Sequence, residues 1–176
     1  SSAASDVYKR QVFEDVVVPK DRIVGEEGNG WAQVTSELAY ERSGPERFLS
    51  AFRVFVELVR FCGPEPTEYQ ATVIGRIASH IMTLRRMSIS VAGMLESGKD
   101  VVVEAALVKE LGNNFEKLLP ELARVVGSDG FSDFSRDGDL FRRTFEDTML
   151  LSPSFTLRGG TREILRGVIA RGLGLR

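Results

Sequence analysis

The sequence predicts an all-α fold, an antiparallel four-helix-type bundle with a short extra helix at its C-terminus. Three observations carry this expectation. Apolar residues recur at spacings of three and four over long stretches, most clearly Val73, Ile77, Ile81, Leu84, Met87, Val91 and Met94. The stretches are parted by short breaker sequences: Ser43-Gly44-Pro45, the turn around Pro66, Ser97-Gly98 and Ser152-Pro153. No strand-like run comes after Val18.

Taken in order, Ser1 to Gln11 is polar, patternless and abruptly joined to the valine-rich segment at Val12. It reads as a non-native leader, of the kind a sequencing-adapter read-through encodes, and it is set apart from the fold. Val12 to Pro19 is valine-rich and closed by proline, which reads as a short β-strand. Such an orphan strand implies a sheet upstream. Lys20 to Gly30 is a polar, glycine-rich loop whose Glu26 and Glu27 oppose the binding of phosphate.

The first helix is expected from about Trp31 to Phe61, on Val34, Leu38, Leu49, Phe52, Phe55, Val56 and Val59, with a kink at Ser43-Gly44-Pro45. The second runs from Thr67 to Ser97 and is closed by Gly98. A third spans Val101 to Val126, on Val103, Leu107, Leu111, Phe115, Leu118 and Leu122, bent at Pro120. Gly127 to Asp139 reads as loop, Leu140 to Leu151 as a fourth helix stopped by Ser152-Pro153. The closing stretch places a Gly159-Gly160 hinge before Thr161, a cap-forming residue. Ile164, Leu165, Val168, Ile169 and Leu173 share one face of the closing helix. Arg158, Arg162 and Arg166 form a cationic stripe opposite, which suits either a bound anion at the helix N-terminus or a solvated basic face.

Composition narrows the classes. At 176 residues, with 43% hydrophobic and 27% charged residues, the chain suits one ordinary globular domain. A net charge of -2 supplies no electrostatic reason to bind nucleic acid or an anionic membrane. One cysteine and one histidine rule out an internal disulfide, a Cys-based zinc site and a His-rich metal set. His80 and Cys62 are assigned no chemistry, and no metal is expected. No apolar run of about 18 residues is present, and no signal peptide opens the chain, so a cytoplasmic location is expected.

Two separated motifs carry a family resemblance. Gly159-Gly-Thr-Arg-Glu-Ile-Leu-Arg166, then Ile169-Ala-Arg and Leu173-Gly, resembles the C-terminal signature of the acyl-CoA dehydrogenase family. Val12-Phe-Glu-Asp-Val-Val-Val-Pro19 with Val24-Gly-Glu-Glu-Gly-Asn-Gly-Trp31 is similar to the passage from that family's middle β domain into its C-terminal helical domain. The resemblance implies that residues 12–30 are the end of a β domain with its linker and that 31–176 are the helical domain. It further implies FAD as cofactor, an acyl-CoA substrate undergoing α,β-dehydrogenation, an electron-transfer flavoprotein or similar acceptor, and a homo- or hetero-oligomer. A piece of this extent is expected to be inactive alone.

The same resemblance names candidate site residues. Many members carry the catalytic glutamate just before the Gly-Thr of the closing signature, where this chain has Gly159. Others carry it in a Leu-x-x-Glu-Arg pattern on the first helix of the domain, matched by Leu38-Ala-Tyr-Glu-Arg42. Glu41 is therefore the expected base, and Tyr40 and Arg42 the expected substrate contacts. A carboxylate held dry suits abstraction of a weakly acidic C–H proton. For the flavin, the implied residues are Arg60 before Phe61-Cys62-Gly63, Arg124 and Gly127 in a turn that departs from the family's glutamine and second glycine, and Thr161 with Glu163. Alternatives left open are a flavin oxidase or monooxygenase, a catalytically silent partner subunit, and a non-enzymatic helical interaction module.

Overall fold

A computed structural model describes residues 12–128 and 136–175. The leader at 1–11 and most of the expected 127–139 loop lie outside the described residues. The chain divides into two compact units, Ser1–Val34 and Thr35–Arg176.

In the first unit, residues 12–19 form no strand. A strand is held by a ladder of bonds to a neighbour, and no second strand exists among the described residues. The segment is irregular and exposed, with Asp15 at a φ of 51°, and is succeeded by a 3-10 turn at Lys20–Arg22. The Gln33 side-chain amide donates to the Val24 carbonyl at 2.9 Å, which ties the polar loop to the start of the first helix.

Beyond the loop the described residues hold six α-helices: α1 Gly30–Ser43, α2 Phe52–Cys62, α3 Glu68–Glu96, α4 Val102–Val126, α5 Arg136–Leu151 and α6 Arg162–Gly172. The expected first helix is thus two. Gly44 takes φ -64° and ψ 154°, the extended conformation forced on a residue before proline, and Pro45 opens a 3-10 turn over Pro45–Arg47. A break, not a kink, resets the helical phase. Val54 and Leu58 consequently enter the core, while Phe52 and Val59 are exposed.

The α3 boundaries match expectation because both ends are chemically marked. Thr67 Oγ1 accepts from the Gln70 N–H at 3.3 Å and Gln70 Oε1 accepts from the Thr67 N–H at 2.9 Å, a complete capping box. Gly98, at φ 73°, closes the far end, where Lys99 N–H reaches back to the Met94 carbonyl. α4 runs through Pro120 as one element.

In the second unit α4 is central, packing against α2, α3, α5 and α6, while α2 also packs against α5. The core joins Val54 and Leu58 of α2, Ile77, Leu84 and Val91 of α3, Ala105, Val108, Phe115 and Leu119 of α4, and Phe141 and Phe145 of α5. Contacted on several sides, α4 buries more than one stripe. Of its six residues expected in the core only Phe115 is fully buried, and Leu111 is exposed. α6 runs antiparallel to α4, with Arg162 beside Glu110 and Gly172 against Val103.

Candidate functional site

α4 carries a line of polar residues through the interior: Lys109, Asn113 and Glu116, at spacings of four and three and all fully buried, with Glu110 beside them. Each needs a partner. Lys109 Nζ donates to Asn113 Oδ1 and, at 3.0 Å, to the Phe155 carbonyl. Burial pushes the Lys109 ammonium down to about 8, reinforced by nearby Arg47 and Arg158 and opposed by Glu116. Glu116 accepts from the Ser50 backbone N–H at 3.0 Å and faces the Arg158 guanidinium at 3.2 Å. Arg158 also reaches the Ser50 hydroxyl and lies over the Phe155 ring, 5.1 Å from its centre.

This arrangement gives the closing arginines carboxylate partners and leaves Arg166 62% exposed. Arg158 serves Glu116, and Arg162 and Arg166 both serve Glu110 Oε1, at 3.1 and 3.0 Å. Arginines at and before the start of α6 thus pair with buried carboxylates of α4.

Over this polar line sits the end of α1. Arg42 Nε donates to the Gly159 carbonyl at 3.2 Å, which brings the Leu38–Arg42 motif against the two-glycine turn 117 residues away. Glu41 is held by Arg47: Nη2 lies 2.7 Å from Oε1, and Nε donates to the Glu41 carbonyl at 2.7 Å. Arg47 is 7% exposed, whereas the Glu41 side chain is 41% exposed. Gly159 and Gly160 have φ of 70° and 103°, values open to glycine at no steric cost. A Cβ on Gly159 would stand 3.4 Å from both Arg47 Cζ and Lys109 Cε. Tyr40 is exposed and lines a shallow groove with Ser43, Pro45, Ser88, Ala92 and Leu95, where Ser88 Oγ donates to the Ser43 carbonyl at 2.6 Å.

Thr161 occupies the N-cap position of α6, but its side chain makes no capping bond to the helix backbone. Glu163 is exposed, and its carboxyl is held below the usual range by its own backbone N–H first and the Thr161 hydroxyl second. Arg60 and Arg124 stand apart from this region. Arg60, at the end of α2, pairs with Glu57 at 3.0 Å, and Arg124, at the end of α4, with Glu121 at 3.1 Å. The turns that carry them meet on one ring. Phe61 stacks on Phe141 with centres 5.4 Å apart, and a side chain on Gly127 would overlap the same Phe141 ring. Gly127 thus has a packing reason to be glycine. The 17 residues of α4 from Glu110 to Val126 separate the Arg162 region from this one by roughly 25 Å.

The structure therefore brings Arg42 directly, and Glu41 through Arg47, to the turn leading to Thr161 and Glu163, sets Tyr40 in a groove with residues of α3, and keeps Arg60, Arg124 and Gly127 in a second group. Sequence reasoning missed Arg47, Lys109 and Glu116. Their signal was present: the α4 residues sit in phase with Ala105, Val108 and Leu119, and charge at core phase is rare unless paired.

The sequence profile described as acyl-CoA dehydrogenase, C-terminal domain, matches residues 28–174. The chain belongs to the acyl-CoA dehydrogenase family. What it carries is that family's C-terminal helical domain. A crystal structure assigned as an acyl-CoA dehydrogenase of Mycobacterium smegmatis superposes with a TM-score of 0.70 at 23% identity, covering 93% of this chain and 44% of that one. A second, from Mycobacterium abscessus, gives 0.61 at 20% identity, covering 89% and 43%. These two show the shared fold, and the chain spans less than half of either structure. Comparison with curated protein sequences returns no match. Among the described residues, no helix is long and apolar enough to cross a membrane, and no His, Cys, Asp and Glu group could hold a metal ion.

Proposed function

We propose that this domain belongs to an FAD-dependent enzyme that removes hydrogen from the α and β carbons of an acyl-CoA thioester, with Glu41 as the base. The observation that carries the reading is that position 41 and position 159 converge on Arg47: its guanidinium holds the Glu41 carboxylate, and a Cβ on Gly159, which offers no carboxylate, would stand 3.4 Å from its Cζ. Glu41 takes the α proton on the oxygen that Arg47 does not hold. Tyr40, in its groove at the end of α1, meets the acyl-CoA, and Arg42 braces the two-glycine turn by its bond to the Gly159 carbonyl.

The residues present fit a flavin dinucleotide. Arg60 and Arg124 are more than half exposed, and a guanidinium has five N–H donors, so one ion pair each leaves donors for a pyrophosphate. The Thr161 hydroxyl, which caps no helix backbone, and Glu163 offer polar contacts from the other group. Bound FAD supplies the hydride acceptor. The separation of the two groups supports a cofactor shared between subunits of an oligomer, with an electron-transfer flavoprotein or similar acceptor as redox partner.

The test uses the full-length protein with butyryl-, isovaleryl- and octanoyl-CoA and a dye acceptor. The expected outcome is a yellow protein that forms enoyl-CoA and whose Glu41→Gln variant keeps its flavin but loses roughly 10²- to 10⁴-fold in turnover, the range for a general base. Unchanged turnover in that variant removes Glu41 from the base role. Oxygen consumption without dye reduction moves the assignment to a flavin oxidase.

A further inference from the structure

We infer that Arg47 is the positioning residue for Glu41, seated for that purpose by Gly112; the inference rests on Glu41 being the base. Arg47 grips Glu41 twice, Nη2 on the carboxylate and Nε on the carbonyl of the same residue, both at 2.7 Å. A planar guanidinium engaging a side chain and its own backbone restricts the side-chain torsions, which a flexible ammonium does not do. Only Oε1 is used, so Oε2 stays available for a proton.

Stability alone does not account for the arrangement. The ion pairs of Arg47, to Glu41 at 2.7 Å and to Glu46 at 3.6 Å, reach carboxylates 41% and 53% exposed and are worth about 0–1 kcal/mol each. Against that stand the desolvation and rotamer entropy of an arginine 7% exposed. The seat adds a further cost. Gly112 lies in the middle of α4, where glycine costs about 1 kcal/mol relative to alanine. It is needed there because any Cβ would overlap the Arg47 carbonyl oxygen. The Pro45–Arg47 turn is thereby laid directly on α4, and its position sends the guanidinium back under α1. Several unfavourable choices converge on one outcome: a carboxylate held by an arginine that is itself fixed in place.

The experiment compares Arg47→Ala, Arg47→Lys, Glu41→Gln and the Arg47→Ala/Glu41→Gln double variant in the full-length protein, with whichever of butyryl-, isovaleryl- or octanoyl-CoA the wild type turns over. A positioning role predicts a fall in kcat of roughly 100-fold for Arg47→Ala with KM and flavin content kept, the scale of a misplaced reacting group. Arg47→Lys recovers part of kcat, and the double variant is no slower than Glu41→Gln. Arg47→Lys is read alone where Arg47→Ala does not fold; a wild-type kcat in it then overturns the proposal, as does a double variant slower than Glu41→Gln. Full turnover in Glu41→Gln, or none in the wild type, instead overturns the base assignment and this inference with it.

Discussion

A Cβ on Gly159 would begin 3.4 Å from the guanidinium carbon of Arg47, the same side chain that holds Glu41 at 2.7 Å. The two positions are neighbours through one arginine, so a change at either alters the other.

Gly159→Ala is expected to lose roughly 1–2 kcal/mol, from a left-handed φ of 70° and not from crowding, since 3.4 Å is tolerable. Urea denaturation of the chain measures this. Gly159→Glu adds a carboxylate that competes with Glu41 for Arg47 and pairs with Lys109. A lower kcat than that of Gly159→Ala, measured in the full-length protein, is the expected result.

Gly112→Ala tests the seat under Arg47. Helix propensity alone favours alanine by about 1 kcal/mol. Overlap with a backbone carbonyl, which cannot rotate away, costs roughly 1–3 kcal/mol, which outweighs that gain and leaves a net loss of up to about 2 kcal/mol. Chemical denaturation decides between the two signs, and a stabilised variant would show that the Pro45–Arg47 turn yields readily.

Glu116→Gln removes the charge that Arg158 and the Ser50 N–H share. Losing one partner of a buried pair costs about 3–5 kcal/mol, and the lower end, about 3, is expected because Arg158 is a third exposed. A drop in the urea midpoint without a change in m-value is the signature.

Lys109 makes stability depend on alkaline pH. Its ammonium, pushed from 10.5 to about 8, loses its proton earlier in the folded chain than in the unfolded one. Between these values the unfolded state binds more protons, so stability rises with pH; below about 8 the burial penalty is present in full. Lys109→Met lacks this dependence. Its Tm relative to wild type should therefore be highest near pH 7 and decline toward pH 10, and a flat difference in calorimetry would contradict the sign.

The helices were legible wherever local chemistry marks them. α3 shows this best, with Thr67 and Gln70 at one end, Gly98 at the other and Val73, Ile77, Leu84 and Val91 between. The motifs at Glu41 and Gly159 were legible as residues, and so was the relation between having one carboxylate and lacking the other. The bounds of α4 match expectation but its core positions do not, because a helix packed on several sides has no single apolar stripe and its buried charges look, in sequence, like a solvated face. The break at Gly44-Pro45 was visible as a breaker, but whether a proline kinks a helix or ends it depends on what the next turn packs upon.

By itself, then, the sequence determined an all-α chain, its turns, its family resemblance and the two positions, 41 and 159, on which the proposed base assignment rests. These come from periodicity and steric rules that act within a few residues. Tertiary structure alone decided that Arg47 grips Glu41, that Gly112 lets it do so, that the closing arginines serve Glu110 and Glu116, and that the expected flavin contacts fall into two groups. Each of those facts joins residues distant along the chain or turns on how a segment packs against α4, and the desolvation that makes such pairs necessary exists only once the helices are packed.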